Sequence, residues 1–330
     1  MANAKRRLVG ISDFIQPPAQ AEQKAFPEAE IWFLKDWRKS EEAKEQWHKV
    51  EALLVWHFNV DRETAELLDN CKIVVRYGAG YDVVDVGSLS ERGIVFCNTP
   101  GCGTTEVADT TCAMILSLQR KLVENDRRSR NYGVDQWQSV LSPIERTSQQ
   151  TLGVVGAGRI GSAVVKRMMA FGYRILVYDP YVKTKPDGCE MAETIGRLQS
   201  EADIISLHCP LTDETRGMVD AEFISKMKVG SSLVNASRGA VLSGLDCIEE
   251  ALRSGQLASA AMDVLPDEPP KQHPLLDAWR NDEEWLSGRL LITPHVADYS
   301  EAGWYELHYK TAETARMYLI EGKLRNRIEP

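Results

Sequence analysis

The sequence has no apolar run near the roughly 20 residues that a bilayer-spanning helix requires, which excludes an integral helical membrane protein. It has no Cys-x-x-Cys pair. Its seven cysteines (71, 97, 102, 112, 189, 209 and 247) are odd in number and irregular in spacing, which argues against a disulfide frame or a zinc site. It lacks an excess of positive charge: 39 Lys and Arg against 48 Asp and Glu leave a formal charge of -9. Such a surface repels phosphate backbones, so no nucleic-acid partner is expected. There is no low-complexity tract and no repeat period of 20–50 residues, which excludes solenoids and propellers. Lys5, Arg6 and Arg7 precede a short apolar stretch that Asp13 cuts off, too short for a signal peptide and consistent with a tail entering a strand. Reduced thiols in the cytoplasm are the expectation.

What is present is an ordinary globular balance, 43% hydrophobic and 26% charged, over 330 residues, enough for about two domains. Short β-branched runs alternate with helical patterns. Strands are expected at 8–11, 31–34, 52–56, 73–76, 94–97, 152–155, 175–178, 204–207, 233–235, 260–264 and 290–293. Most are apolar without alternation, as strands covered on both faces are, and the helices between them supply the crossovers of parallel sheets. The pattern therefore reads as α/β. A long helix is expected over 106–119 and a last one over about 300–321. The polar stretch 124–150, with Arg127, Arg128 and Arg130, reads as a solvated face or an arm for a subunit contact.

The strongest local signal is the glycine pattern in LGVVGAGRIG, residues 152–161. An apolar strand precedes it, and a helix with Ile160, Val164, Met168 and Phe171 on one stripe follows. Gly156 permits the tight turn, Gly158 lets backbone amides approach a pyrophosphate, and Gly161 lets the helix sit close to the strand. Arg159 and Ile160 open the helix that would receive the phosphate charge. Asp179, 18 residues beyond Gly161, can accept ribose hydroxyls and would repel a 2′-phosphate, which favours NAD over NADP. Lys183 and Lys185 nearby weaken that preference slightly.

Polar groups also mark later strand ends: Arg238 in NASRG, Asp263 with Glu268 shortly after, and His295 in TPH. Ligands in open parallel sheets bind beyond strand C-termini, so these residues can converge on the cofactor. An arginine to fork a carboxylate, a histidine to deliver a proton and a carboxylate to orient the imidazole suit reduction of a 2-keto acid. His48, His57, His273 and His308 carry no motif and read as surface or structural. Cys102 has no identifiable base partner.

Taken together, IVVRYGAGYDVVD (73–85), GIVFCNTP (93–100), the glycine segment, HCPL (208–211), VNASRG (234–239), MDVLPDEP (262–269) and TPHVADYS (293–300) resemble the D-isomer-specific 2-hydroxyacid dehydrogenase family over nearly the whole chain. Within it they most resemble the branch containing the C-terminal-binding proteins. The resemblance implies two doubly wound parallel-sheet domains: a Rossmann-type NAD-binding domain, 103–297, inserted into a flavodoxin-like substrate domain, 1–102 closed by 298–330. It implies a catalytic set of Arg238, Glu268 and His295, with Asp263 bonding the nicotinamide carboxamide. It places Cys209 and Pro210 at the cofactor, and Arg76 with the amides of Ala79 and Gly80 at the substrate. A homodimer is implied as well, and a dinucleotide-sensing, corepressor-like protein is the alternative to an enzyme. Two departures stand out. Asp298 occupies a position, three after His295, where that branch commonly has an aromatic residue; it either meets the substrate, or points to solvent or caps the last helix near Ser300. Residues 277–289 are longer and more polar than the link of many relatives, and read as surface helix.

Overall fold

The computed structural model describes residues 6–13, 15–130 and 143–330. The chain divides into two compact units, Met1–Gly103 with Tyr299–Pro330, and Thr104–Asp298. Part of the arm expected within 124–150 lies outside the described residues.

The first unit holds five parallel strands, β1 (Arg7–Ile11), β2 (Ala29–Phe33), β3 (Ala52–Val55), β4 (Ile73–Arg76) and β5 (Val95–Asn98), in the order β2-β1-β3-β4-β5. This is the flavodoxin-like order. Four short helices join them: α1 (Gln20–Ala25), α2 (Glu41–Lys49), α3 (Arg62–Leu67) and α4 (Val86–Glu91). Successive strand residues serve opposite cores. Ile11, Leu54, Ile73 and Val75 pack in one layer, and Leu53, Val55, Val74 and Phe96 in the other, which is why these strands show no polar alternation. The long C-terminal helix of this unit lies on the first layer through Leu307, Ala312 and Ala315. A buried polar cluster is set into that layer. Glu22 Oε1 lies 2.5 Å from His308 Nδ1 and accepts the Tyr77 hydroxyl at 2.9 Å. Past the helix the chain returns along β5: the Asn98 N–H donates to Asn326 O, the Ile328 N–H donates to Phe96 O, and Arg327 bridges Cys97 in antiparallel sense.

Between β5 and that last helix runs the second unit. It contains α5 (Thr104–Gln119), α6 (Leu122–Arg130), β6 (Thr151–Val155), α7 (Arg159–Met169), β7 (Arg174–Tyr178), β8 (Glu190–Met191), α8 (Ile195–Glu201), β9 (Ile204–Leu207), α9 (Ala221–Ser225), β10 (Ser231–Asn235), α10 (Asp246–Ser254), β11 (Leu257–Met262), α11 (Pro274–Arg280) and β12 (Leu290–Ile292); α12 (Glu301–Glu321) is the long C-terminal helix. The seven strands run parallel in the order β12-β11-β10-β9-β6-β7-β8. The order reverses between β6 and β9, so the mouth of this sheet lies at the C-terminal end of β6. The two-residue β8 had no counterpart in the sequence reading, because Glu190 and Met191 carry too little pattern to register.

Residues 277–289 differ from the surface helix expected. Helix α11 stops at Arg280, and Asp282 takes a left-handed φ of 58°. The segment then turns inward: Leu286 is buried and Arg127 of α6 donates to Ser287 Oγ. The polar residues 280–284 stay exposed to solvent, and Asp282 among them also pairs with Arg127 of α6.

Candidate active site

The glycine turn forms as each glycine dictates. Gly156 has φ 95°, and a Cβ there would lie 2.8 Å from the His208 backbone. A Cβ on Gly161 would lie 2.0 Å from Gly156 O, so the helix can approach the strand only without one. Gly158 is different: a Cβ there meets nothing within 4 Å. It is the N-cap of α7 and supplies no side-chain cap, leaving the first-turn N–H groups of an 11-residue helix for an anion. Its bare backbone facing open space fits a pyrophosphate. The Asp179 carboxylate sits beside this turn. Its Oδ2 accepts the Ala157 N–H at 2.7 Å, and its Oδ1 accepts those of Tyr181 and Val182 at 2.8 and 3.0 Å. Ribose hydroxyls would use the acceptor capacity that remains.

Beneath the turn lies His208, the first residue of HCPL. It is half-buried, with Nε2 2.8 Å from Ser206 Oγ, and burial drives its pKa down to about 4, so it is a neutral packing group. The signal that could have found it was its place directly after β9. Cys209, next to it, is buried, which pushes its thiol up to about 11 and leaves it unreactive. Pro210 is exposed, and its carbonyl accepts the Thr215 hydroxyl.

On the other half of the same sheet, three turns present the acid–base groups. After β10, Asn235 pins the turn by accepting from the Ser237 N–H and donating to Arg238 O. A Cβ on Gly239 would lie 1.8 Å from Leu265 O, so the turn bearing Arg238 is pressed against the turn bearing Glu268. Glu268 Oε1 accepts the Leu265 N–H at 2.9 Å, and its other oxygen lies 2.7 Å from His295 Nδ1. That carboxylate raises the His295 pKa above the ordinary histidine value; burial and the Arg238 charge pull against it. His295 itself has φ 54°, an uncommon backbone for a non-glycine residue. The structure thus brings Arg238, Glu268, His295 and Asp263 together in one unit.

Arg76, Ala79 and Gly80 belong to the other unit, at the C-terminal end of β4. There Gly78 has φ 107° and a Cβ on it would lie 2.2 Å from Arg76 Nη1, so the guanidinium folds back over the loop. Asn98 donates to Ala79 O and fixes that loop. Asp298 is half-buried, and the N-cap of α12 is Ser300, whose hydroxyl accepts the Gly303 N–H. Of the other histidines, His48 lies 2.8 Å from Asp69, His273 caps α11, His308 is in the buried cluster, and His57 stacks on Trp56. Among the described residues no group of three potential ligands could hold a metal, and no helix is long and apolar enough to cross a membrane.

With this geometry in place, comparison with known proteins is specific. The family model for the NAD-binding domain of D-isomer specific 2-hydroxyacid dehydrogenases matches residues 112–297. A glyoxylate reductase of Korarchaeum cryptofilum is 36% identical over 279 residues, 82% of this chain and 78% of that protein. A D-3-phosphoglycerate dehydrogenase of Methanocaldococcus jannaschii is 36% identical over 220 residues; the match takes in 66% of this chain but only 41% of that longer protein. Among solved structures, a D-lactate dehydrogenase of Aquifex aeolicus, complexed with NAD and lactic acid, superposes with a TM-score of 0.84. It is 27% identical and covers 98% of this chain and 99% of that one.

Proposed function

Because the chain belongs to the D-isomer specific 2-hydroxyacid dehydrogenase family, with residues 112–297 as its NAD-binding domain, we propose that it interconverts a D-2-hydroxy acid and its 2-keto acid with Arg238, Glu268 and His295 as the working set. The observation that carries this reading is the 2.7 Å contact between His295 and Glu268, in the unit that also holds the glycine turn and Arg238. NAD(H), when bound, supplies or accepts the hydride. Gly158 and the first turn of α7 take the pyrophosphate, and Asp179 the adenosine ribose. Arg238 holds the substrate carboxylate or carbonyl through its guanidinium. His295, protonated, gives its Nε2 proton to the carbonyl oxygen in reduction and takes it back in oxidation. Glu268 fixes the ring by its Nδ1 and favours the imidazolium. In this reading the unit that carries Arg76 and the amides of Ala79 and Gly80 is the substrate domain, those groups being its substrate contacts, and Thr104–Asp298 is the cofactor domain. A homodimer is part of the same reading and rests on family resemblance alone.

The test is a panel of 2-keto acids with NADH and with NADPH, followed by loss of coenzyme absorbance. Turnover with NADH, poorer with NADPH, is expected. NADH binding without turnover of any keto acid would overturn the enzyme reading in favour of a dinucleotide sensor.

A further inference from the structure

Strands β7 and β9 are the two neighbours of β6, so the loops that follow them rise on either side of the glycine turn. One side-chain bond joins these loops. The Tyr181 hydroxyl, in the loop after β7, donates to Glu214 Oε2, in the loop after β9, across 33 residues of sequence. Both ends are anchored. The Tyr181 N–H donates to Asp179, the ribose-binding carboxylate of the proposed function. Glu214 sits in a turn pinned by Thr215, whose hydroxyl donates to Pro210 O and accepts the Thr212 N–H. Tyr181 is 72% exposed, so packing does not hold its ring in place; the bond to Glu214 does.

We propose that Tyr181 and Glu214 form a clasp over the adenosine end of the dinucleotide, with the tyrosine ring as a stacking face and the glutamate as its latch. A pyrophosphate on α7 puts its nearer ribose at Asp179, and the base beyond that ribose extends between the two loops that the clasp joins. An aromatic face there is sequence-tolerant, low-entropy contact area for a purine. Glu214 adds a second carboxylate to Asp179 at this end, and two like charges oppose a 2′-phosphate more than one does. Glu214 also raises the Tyr181 pKa by accepting its hydrogen bond, which keeps the phenol neutral beside a polyanionic ligand.

This inference rests on NAD binding at the glycine turn, and the test separates the two. Binding of NADH, NADPH and ADP-ribose is measured by fluorescence and calorimetry, and NADH release by stopped-flow displacement. Tyr181→Ala should weaken NADH and ADP-ribose alike by about tenfold, mostly through faster release. Tyr181→Phe keeps the ring but loses the latch, and should speed release by about threefold. Glu214→Gln should narrow the NADH-to-NADPH affinity ratio by about threefold, with NADH itself little changed. Wild-type affinities and release rates in both tyrosine variants, or an unchanged ratio in Glu214→Gln, would overturn the clasp while wild-type NADH binding leaves the cofactor reading standing. Failure of the wild type to bind either NADH or ADP-ribose would remove both.

Discussion

Asp263 holds the backbone on both sides of His295. Its Oδ1 accepts the Thr293 hydroxyl at 2.6 Å and the Val296 N–H at 3.0 Å, and its Oδ2 accepts the Ala297 N–H at 3.1 Å. The carboxylate is 2% exposed, and three of its roughly four acceptor sites are taken. One remains, which the proposed function gives to a nicotinamide carboxamide. Its larger work in this structure is to hold a left-handed residue in place. Asp263→Ala strands two N–H groups and a hydroxyl, each costing about 1–3 kcal/mol where buried. Denaturant midpoint and kcat should both fall. A variant with unchanged kcat would show that the loop holds itself.

The acid–base pair makes a prediction with a sign. The His295 pKa is raised by Glu268, so reduction, which needs the imidazolium, should persist below that raised pKa and decline as pH climbs through it. Glu268→Gln removes the charge, lowers the pKa and should move the alkaline limb of the keto-acid reduction profile to lower pH. His295→Ala should lower kcat by about 10²–10⁴ and leave NADH affinity in place. A profile in Glu268→Gln that overlays the wild type would reject the assigned role.

Gly156 and Gly158, two residues apart, should answer differently to the same methyl group. Gly156→Ala combines a positive φ with a close approach to the His208 backbone and should lower folding stability by about 1–3 kcal/mol. Gly158→Ala meets no protein atom, so melting temperature should stay and NADH affinity should drop. Melting curves and fluorescence titration on both variants check this, and equal effects on stability would contradict it.

The first unit carries a separate liability in the Glu22–His308 pair. Burial pushes the Glu22 carboxyl up, but the bond and charge of His308, with the Tyr77 hydroxyl, bring it net below the ordinary glutamate value. A depressed carboxylate contributes stability above its unfolded pKa and loses it as pH falls through the folded one. His308→Ala leaves that carboxylate buried with one partner fewer and should cost about 3–5 kcal/mol. Glu22→Gln should flatten the acid side of the stability curve. Urea unfolding between neutral and acidic pH measures both; a parallel acid loss in Glu22→Gln would assign it to other groups.

Substrate choice can be tested at Asp298. If the carboxylate meets the substrate, aliphatic and aromatic 2-keto acids should be poor, and those with a hydroxyl or amino group should be preferred. Asp298→Phe should invert that ranking of kcat/KM. A uniform fall across the panel would place Asp298 outside the substrate pocket.

All eleven strands expected from apolar runs are present, because most of the runs are unalternated enough to mark a strand buried on both faces. The glycine turn was legible because each glycine answers a distinct steric demand at a fixed offset. The triad residues could be named from strand ends, but their contact could not. Glu268 meets His295 only because Gly239 lets one turn press on another, and nothing local in SRGA signals that. Tyr181 and Glu214 were silent for the same reason: two ordinary exposed residues acquire meaning when β7 and β9 flank one strand. In residues 277–289 the polar stretch 280–284 lies at the surface as its composition suggests, whereas the end of the helix at Arg280 carries no local signal.

The return of residues 326–328 along β5 has a consequence for the molecule's behaviour among its own copies. An outermost strand offers an unpaired row of donors and acceptors on which a foreign strand can template, and proteins generally spend something to deny it. Here the denial is made by the chain's own tail, held by two backbone bonds and by the partly buried Ile328. A truncation or fusion that lifts this tail therefore does more than trim a surface. It adds an adhesive rim along β5 to a sheet whose other edge is β2, and the outcome to expect is self-association rather than unfolding.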